Sequence, residues 1–182
     1  DKDFRKGMQQ YLQRYAGVNA TWPGLIAILD PLTATDLRAW SAVWVNSPGR
    51  PEIQLQQLPD ATAVIRQRDP AGEGRVWPQR FAVQVLSAQA PGVVSVASSK
   101  AAVAWPGESL PEAPLLFNAD ASGYGLFPVA PQSLDYWQDL GSLQRGVLLL
   151  DLNENLLAGL GIRPVEQVSA LLTLLQSETN TL

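Results

Sequence analysis

The residue types in this chain exclude most catalytic sites before a fold is considered. The sequence has 182 residues and contains neither histidine nor cysteine. A Ser-His-Asp triad, a thiol nucleophile and the zinc-binding helix H-E-x-x-H each require one of these side chains as base, nucleophile or ligand. Most hydrolase chemistry is therefore excluded, and together with the motifs considered below this predicts no catalytic, cofactor-binding or metal-ligating residue in this chain.

The segment DLNEN at 151–155 is the closest approach to a metal motif. It places oxygen ligands at the first, third and fifth positions of a calcium loop. Leu156 stands where the loop needs its turn glycine, and Ile162 stands where it needs a bidentate Glu. We expect a helix with a polar face instead of a calcium site.

Three weaker motifs have simpler structural explanations. Gly72-Glu73-Gly74 and Gly123-Tyr124-Gly125 contain G-x-G without completing a phosphate-binding loop, so we expect a turn and a close approach of the backbone. Ser98-Ser99-Lys100 lacks S-x-x-K spacing and predicts an exposed hairpin. Asp135 and Asp139 are one helical turn apart without an obvious third ligand, which favours a solvated face.

The tripeptide Asn19-Ala20-Thr21 matches the N-glycosylation acceptor pattern. A sugar site needs a secretory context that these residues do not show. Local structure is the better explanation, because Thr21 can cap a helix that begins at Trp22, and Asn19 tolerates turn or left-handed geometry after Gly17.

Six tryptophans could suggest a surface that binds carbohydrate or another ligand. They are at positions 22, 40, 44, 77, 105 and 137. Trp22, Trp40 and Trp44 fall on apolar helix faces, so we assign them mostly to the core.

Charge and hydropathy narrow the possible partners. Lys and Arg number 13 against 17 Asp and Glu, and no basic run could neutralise a phosphate backbone. No apolar stretch reaches the ~20 residues that span a bilayer. We expect no nucleic-acid partner and no membrane span. The start, DKDFRKGMQQ, has neither an initiator Met nor a signal-peptide core and indicates an internal cut; the compartment stays open.

Periodicity predicts helices first and strands next. Residues 1–49 show helical spacing, with Thr33 and Asp36 as a capping box for the third helix. From Pro51 apolar and polar residues alternate in short runs typical of an all-β sandwich. DPAGEGR at 69–75 predicts a hairpin turn. The predicted strands are 53–55, 64–68, 81–85, 93–97, 101–105, 115–118 and 124–129.

The helical period returns after Pro131. We expect helices over 133–140 and 142–158, the second capped by Ser142 and ended by Gly159 and Gly161. A last helix opens at Pro164. Its predicted buried stripe is Val165, Val168, Leu171, Leu172 and Leu175. The predicted fold class is α+β in several parts: short helices, then an all-β immunoglobulin-like sandwich, then α-helices.

The order of these motifs resembles the zinc aminopeptidases of the aminopeptidase N family, which are thermolysin-like gluzincins. FRKGMQQYLQRYAGVNATWPGL, followed by DLRAWSAVWVNSPGRPEI, is similar to a stretch downstream of that family's zinc-binding helix. Trp77-Pro78, the run FNADASGYGLFPV and the helix 143–152 with Arg145 are similar to later stretches. In the two stretches quoted first, the positions that match the family pattern are Phe4, Gly7, Tyr11, Leu12, Asn19 to Trp22, Trp40, Trp44, Pro48, Gly49 and Pro51.

The resemblance implies that the chain is a part of a longer peptidase. Residues 1–49 would be the last helices of the catalytic domain, 50–130 the β-sandwich domain and 131–182 the first helices of a C-terminal helical domain. The parent would remove N-terminal residues from peptides with a zinc-activated water and a Glu base, upstream of Asp1. Zinc and peptide substrate would then belong to the parent, and this chain would be a scaffold whose partner is the catalytic domain of the same polypeptide.

Two alternatives stay open. The chain could be a free-standing β-sandwich module for binding or adhesion, with helical flanks, that recognises peptide or glycan through exposed Trp. The parent could also have lost its zinc site and kept the scaffold. The reading frame upstream of Asp1 separates these possibilities. A zinc peptidase would show H-E-x-x-H there, and a free-standing module would not. A parent that has lost its zinc site would keep the helix with its ligands replaced.

Overall fold

The computed structural model describes residues 2–60, 62–161, 163–176 and 178. They form a mixed helix and sheet structure with two compact units, 1–49 and 50–182. None of the described helices is long and apolar enough to cross a membrane. The assignment of 1–49, 50–130 and 131–182 to three domains of a longer protein stays a prediction.

The elements follow the predicted order of helices, strands and helices. The helices are α1 Lys2–Arg14, α2 Trp22–Leu29, α3 Leu37–Trp44, α4 Ser142–Leu157 and α5 Pro164–Leu175, with 3₁₀-helices at Asp30–Leu32 and Pro131–Asp139. The strands are β1 Glu52–Gln57, β2 Ala63–Arg68, β3 Gln79–Val85, β4 Gly92–Ser98, β5 Ala102–Ala104 and β6 Leu115–Phe117.

Local side-chain chemistry sets the start of α2. The Thr21 hydroxyl accepts a hydrogen bond from the Gly24 N–H at 3.3 Å, which confirms the predicted cap. Gly17 takes the left-handed conformation of the preceding turn, at φ 74°, and Asn19 follows it as exposed irregular backbone. The acceptor-like tripeptide is therefore part of a turn that leads into a capped helix.

The start of α3 differs from the prediction. Asp36 is itself the N-cap and accepts from the Ala39 N–H at 2.8 Å, whereas the Thr33 hydroxyl accepts from the Thr35 N–H. The predicted capping box is wrong because the 3₁₀-helix Asp30–Leu32 keeps Thr33 outside α3.

The three tryptophans of the first unit form a row on its surface. The rings of Trp22 and Trp40, and those of Trp40 and Trp44, have centroids 6.4 Å apart. Trp22 remains 38% exposed, and its indole N–H donates to the buried Ser41 hydroxyl at 2.7 Å. The assignment of these rings to the core is wrong for Trp22, since one side of its ring stays in solvent.

The second unit contains two small antiparallel sheets, with strand orders β1-β2-β5 and β4-β3-β6. Both sheets contribute to one apolar cluster: Ile53 and Ile65 come from the first, and Phe81 and Val83 from the second. We call this cluster the two-sheet core. The period of two in β3 explains the packing, because alternate residues of a strand face the same side. The immunoglobulin-like arrangement stays a prediction.

Two predicted hairpins are instead connections between the sheets. Residues 69–75 join β2 to β3, and Ser98-Ser99-Lys100 joins β4 to β5, so neither loop links paired strands. Gly72 and Gly74 do take positive φ, as the turn requires. Ser98 is fully buried and accepts a hydrogen bond from the Gln67 side chain at 2.6 Å, so the predicted exposure is wrong there.

The predicted strand 124–129 is reduced to isolated bridges. Leu126 pairs in parallel with Glu52: its N–H donates to the Pro51 carbonyl at 2.9 Å, and its carbonyl accepts from the Ile53 N–H at 2.8 Å. The next donor of a parallel ladder would be residue 128. Pro128 has no N–H, so the ladder stops there.

The C-terminal part packs on the other face of the second sheet. Leu116 of β6 joins Trp137, Leu148 and Leu152 in a second apolar cluster. Residues 131–139 form a 3₁₀-helix rather than the expected α-helix, and Gly141 rather than Ser142 is the N-cap of α4. Gly159 and Gly161 end α4 with positive φ, as predicted.

Candidate functional site

Four polar residues lie where α4 meets the strands of the second unit. They are Arg50, Asp151, Glu154 and Asn155, and we call them the polar junction. The Asn155 side-chain amide donates to the backbone carbonyls of Phe127 and Asp151, each at 2.7 Å. The Arg50 guanidinium forms an ion pair with the Glu154 carboxylate. Arg50, which precedes β1, and Phe127, in the segment that bridges β1, are thus both attached to α4.

The helical period explains why this junction is buried. Asp151 and Asn155 are four residues apart, so they lie on the same face of α4 as Leu148 and Leu152. Each is only 5% exposed, whereas Asn153 is exposed. The predicted polar face of 151–155 is therefore divided: Asp151 and Asn155 are buried, whereas Asn153 lies in solvent. The helical conformation itself is confirmed, and it spreads the would-be calcium ligands around the helix.

Burial changes the acid–base chemistry of Asp151. The pKa of this carboxyl is raised to about 7, chiefly by burial and next by the nearby Glu154 charge, while Arg50 partly opposes the shift. No described residue forms a hydrogen bond with the Asp151 Oδ2 atom.

A carboxyl with a raised pKa is often part of an active site. Asp151, however, lines none of the larger cavities in the described part of the chain. A substrate cannot reach a group that is 95% buried and lines none of these cavities, so the geometry favours a structural role.

The described residues do not fit a zinc ion. No three His, Cys, Asp or Glu side chains come together there in a way that could hold a metal. The chain also has no His or Cys, the ligands that zinc sites use most. Asp135 and Asp139 are both exposed, as expected for a solvated face.

Helix α5 exposes most of its predicted buried stripe, and only Leu171 of the five residues is half-buried. Four members of the predicted buried stripe are more than half exposed: Val165, Val168, Leu172 and Leu175. The inward side instead carries the buried Gln167 and the half-buried Leu174. An ion pair between Arg145 of α4 and Glu178, with an Nε–Oε2 distance of 2.8 Å, links α4 to the residues beyond the end of α5. The apolar stripe of α5 is therefore an exposed surface.

The other tryptophans offer no binding platform. Trp77, Trp105 and Trp137 are all buried. The Trp77 ring contacts the Arg75 guanidinium at 5.1 Å, and the Trp105 N–H donates to the Ser109 carbonyl. Their burial weighs against a module that recognises glycan through exposed Trp in residues 50–182.

No protein-family model matches the chain. Two curated proteins do, and both are named aminopeptidase N. The one from Streptomyces lividans is 33% identical over 94 residues, which cover 46% of this chain and 11% of that protein. The one from Lactococcus lactis subsp. lactis (strain IL1403) is 30% identical over 82 residues, 42% of this chain and 10% of that protein. The chain is related in part to aminopeptidase N.

This relation confirms the predicted family resemblance in its coarse form. The chain spans about a tenth of the length of the aminopeptidase N proteins it matches. Its position downstream of a zinc site stays a prediction.

Proposed function

We propose that this chain is a non-catalytic part of a zinc aminopeptidase related to aminopeptidase N, and that it is a scaffold between the catalytic and C-terminal domains. The observation that carries the proposal is the 33% identity to the Streptomyces lividans aminopeptidase N over 94 residues. The lack of imidazole and thiolate in the chain supports a non-catalytic role.

In this proposal the parent protein removes N-terminal residues from peptides. Its zinc ion and its Glu general base belong to the catalytic domain, upstream of Asp1. The chain contributes the last helices of that domain, an immunoglobulin-like sandwich over 50–130 and the first helices of the C-terminal domain.

The exposed stripe of α5 supports the scaffold role. Apolar side chains that repeat at helical spacing normally pack against a neighbouring element. Val165, Val168 and Leu172 lie in solvent in this chain. In the full-length protein, the next helices of the same polypeptide would cover them. The polar junction would then fix the orientation of α4, on which this helical domain begins.

A zinc and activity assay tests the non-catalytic part of the proposal. The chain is incubated with one equivalent of Zn²⁺ and with alanine p-nitroanilide, and zinc is counted after gel filtration. We expect no hydrolysis above a buffer control and much less than one zinc ion per chain. A stoichiometry near one, or hydrolysis that a chelator abolishes, would overturn this part.

The gene tests the scaffold part. We expect the reading frame upstream of Asp1 to continue through H-E-x-x-H. In the full-length protein, Asn155→Ala should lower the temperature of irreversible inactivation and leave kcat near its original value at 25 °C, while Asn153→Ala should change neither. A frame without the zinc helix, or a loss of kcat with no loss of stability, would contradict the scaffold role.

A further inference from the structure

Strand β1 has an outer edge on which most backbone groups have no partner among the described residues. It is the first strand of the order β1-β2-β5, so only one of its edges pairs with β2. The Ile53 N–H donates to Leu126, on the side away from β2. Since N–H and C=O groups alternate in direction along a strand, the backbone groups of Leu55 and Gln57 also point away from β2.

Pro128 leaves this edge open. A partner strand continuing from Leu126 would bond the Ile53 carbonyl through the N–H of residue 128, which proline lacks. Beyond that point no described residue bonds the Leu55 N–H or carbonyl. Five outward groups therefore have no partner among the described residues: the Ile53 carbonyl and the N–H and carbonyl groups of Leu55 and Gln57.

Two cavities give this edge room for a ligand. One, of about 510 Å³, lies between β1, the segment 126–128 and the end of α4. The other, of about 670 Å³, lies toward residues 110–115 and Tyr136. Leu55 and Pro128 line both cavities, so the two adjoin along the open edge. We call the combined space the β1 groove.

The groove is apolar with acidic charges. Side chains such as Leu55 and Phe117 line its apolar part. The charged side chains among its described lining residues are Glu52, Glu112 and Asp135, all of them acidic. Arg68 neutralises Glu52, whereas Glu112 and Asp135 are exposed carboxylates.

We propose that the β1 groove binds an extended peptide segment, which adds to β1 as a further strand and carries Lys or Arg beside alternating apolar residues. Strand addition satisfies the outward backbone groups, because an extended chain presents donors and acceptors at the same spacing. The carboxylates of Glu112 and Asp135 select basic residues in the peptide. This proposal does not depend on the proposed peptidase origin of the chain.

A second copy of the chain fits this edge less well. Antiparallel pairing of β1 with its own copy would bring two acidic grooves together and place like charges side by side. A basic peptide gains the same backbone bonds without that repulsion.

Fluorescence anisotropy with three labelled peptides tests the proposal on the intact 182-residue chain. The probes are KVTVTVR, the acidic analogue EVTVTVD, and KVTVTVR with alternate backbone nitrogens methylated so that one edge cannot donate. We expect the basic peptide to bind at least tenfold more tightly than either analogue.

Protein variants and NMR locate the binding. Glu112→Gln with Asp135→Asn should weaken binding of the basic peptide about fivefold, the effect of ~1 kcal/mol at exposed charges. Glu108→Gln, at an exposed carboxylate outside the groove, should leave the affinity unchanged. The amide signals of Leu55 and Gln57 should shift with the peptide. Equal affinity for all three peptides, unmoved Leu55 and Gln57 signals, or self-association of the chain in place of peptide binding would overturn the proposal.

Discussion

The side chain of Asn155 donates a hydrogen bond to the backbone carbonyl of Phe127 at 2.7 Å. Asn155 is on α4, and Phe127 belongs to the segment that bridges β1. The Phe127 ring is buried in the two-sheet core, where it meets Phe81 edge-on with centroids 5.1 Å apart. One amide therefore couples the helical part of the second unit to its strands.

Replacement of Asn155 by Ala should destabilise the second unit by about 1–3 kcal/mol, because it leaves the buried Phe127 carbonyl without its donor. Urea unfolding followed by circular dichroism measures this loss. Asn153→Ala is the matched control on the exposed side of the same helix, and it should change the unfolding free energy by less than ~0.5 kcal/mol. Equal effects of the two substitutions would refute the role of Asn155.

The stability of the second unit should fall between about pH 4 and about pH 7 because of Asp151. Its folded-state pKa is raised to about 7, chiefly by burial, so the folded chain keeps a proton that the unfolded chain has already lost. The stabilisation is complete below the unfolded pKa, near ~4, and is lost as the pH rises through about 7.

Asp151→Asn tests this titration, because the amide has the shape of the protonated carboxyl and cannot ionise. The variant should unfold with nearly the same free energy as the original chain at about pH 3, below the unfolded pKa, and be more stable by a few kcal/mol at about pH 8. No histidine titrates in this window. Parallel pH profiles of the two proteins would show that Asp151 does not titrate there.

Gly125 should not tolerate a side chain. A Cβ atom at this position would lie 2.8 Å from the Pro51 carbonyl, a backbone atom that also accepts the Leu126 N–H. Gly125→Ala should cost about 1–3 kcal/mol through this overpacking. Gly146→Ala, at an exposed helix position with open space around it, should instead stabilise by ~0.5–1 kcal/mol. Thermal unfolding distinguishes the two, and a neutral Gly125→Ala would contradict the close contact.

The exposed stripe of α5 should contribute little to the stability of this chain. The double change Val168→Thr and Leu172→Gln should alter the unfolding free energy by less than ~0.5 kcal/mol and reduce self-association in light scattering. Leu148→Ala, at a fully buried position of α4, should cost about 2–5 kcal/mol. A large loss from the double change would place the stripe in the core after all.

Local patterns predicted the positions of most elements. The alternation of Phe81, Val83 and Val85 indicated a strand, and β3 spans Gln79–Val85. Thr21 and Pro164 marked helix starts, because a hydroxyl cap and a missing N–H act within one turn. The strand at 124–129 failed for an equally local reason: Pro128 cannot donate to a ladder.

Strand pairing was beyond the reach of such patterns. The loop 69–75 has turn residues, yet it connects strands of different sheets. Period and turn composition do not state which strand lies beside which. The same limit applies to Ser98, whose burial depends on Gln67, 31 residues away along the chain.

The sequence by itself determined that the chain has no imidazole or thiol, that helices begin near Thr21 and Pro164, and where most helices and strands lie, because those properties depend on composition and on groups a few residues apart. Only the tertiary structure decided that Asp151 and Asn155 are buried, that the apolar stripe of α5 faces solvent and that the edge of β1 is open. Each of these depends on distant residues meeting in space, as Arg50 and Glu154 do across 104 positions. Burial and pairing at such distances are set by the packing of the whole unit.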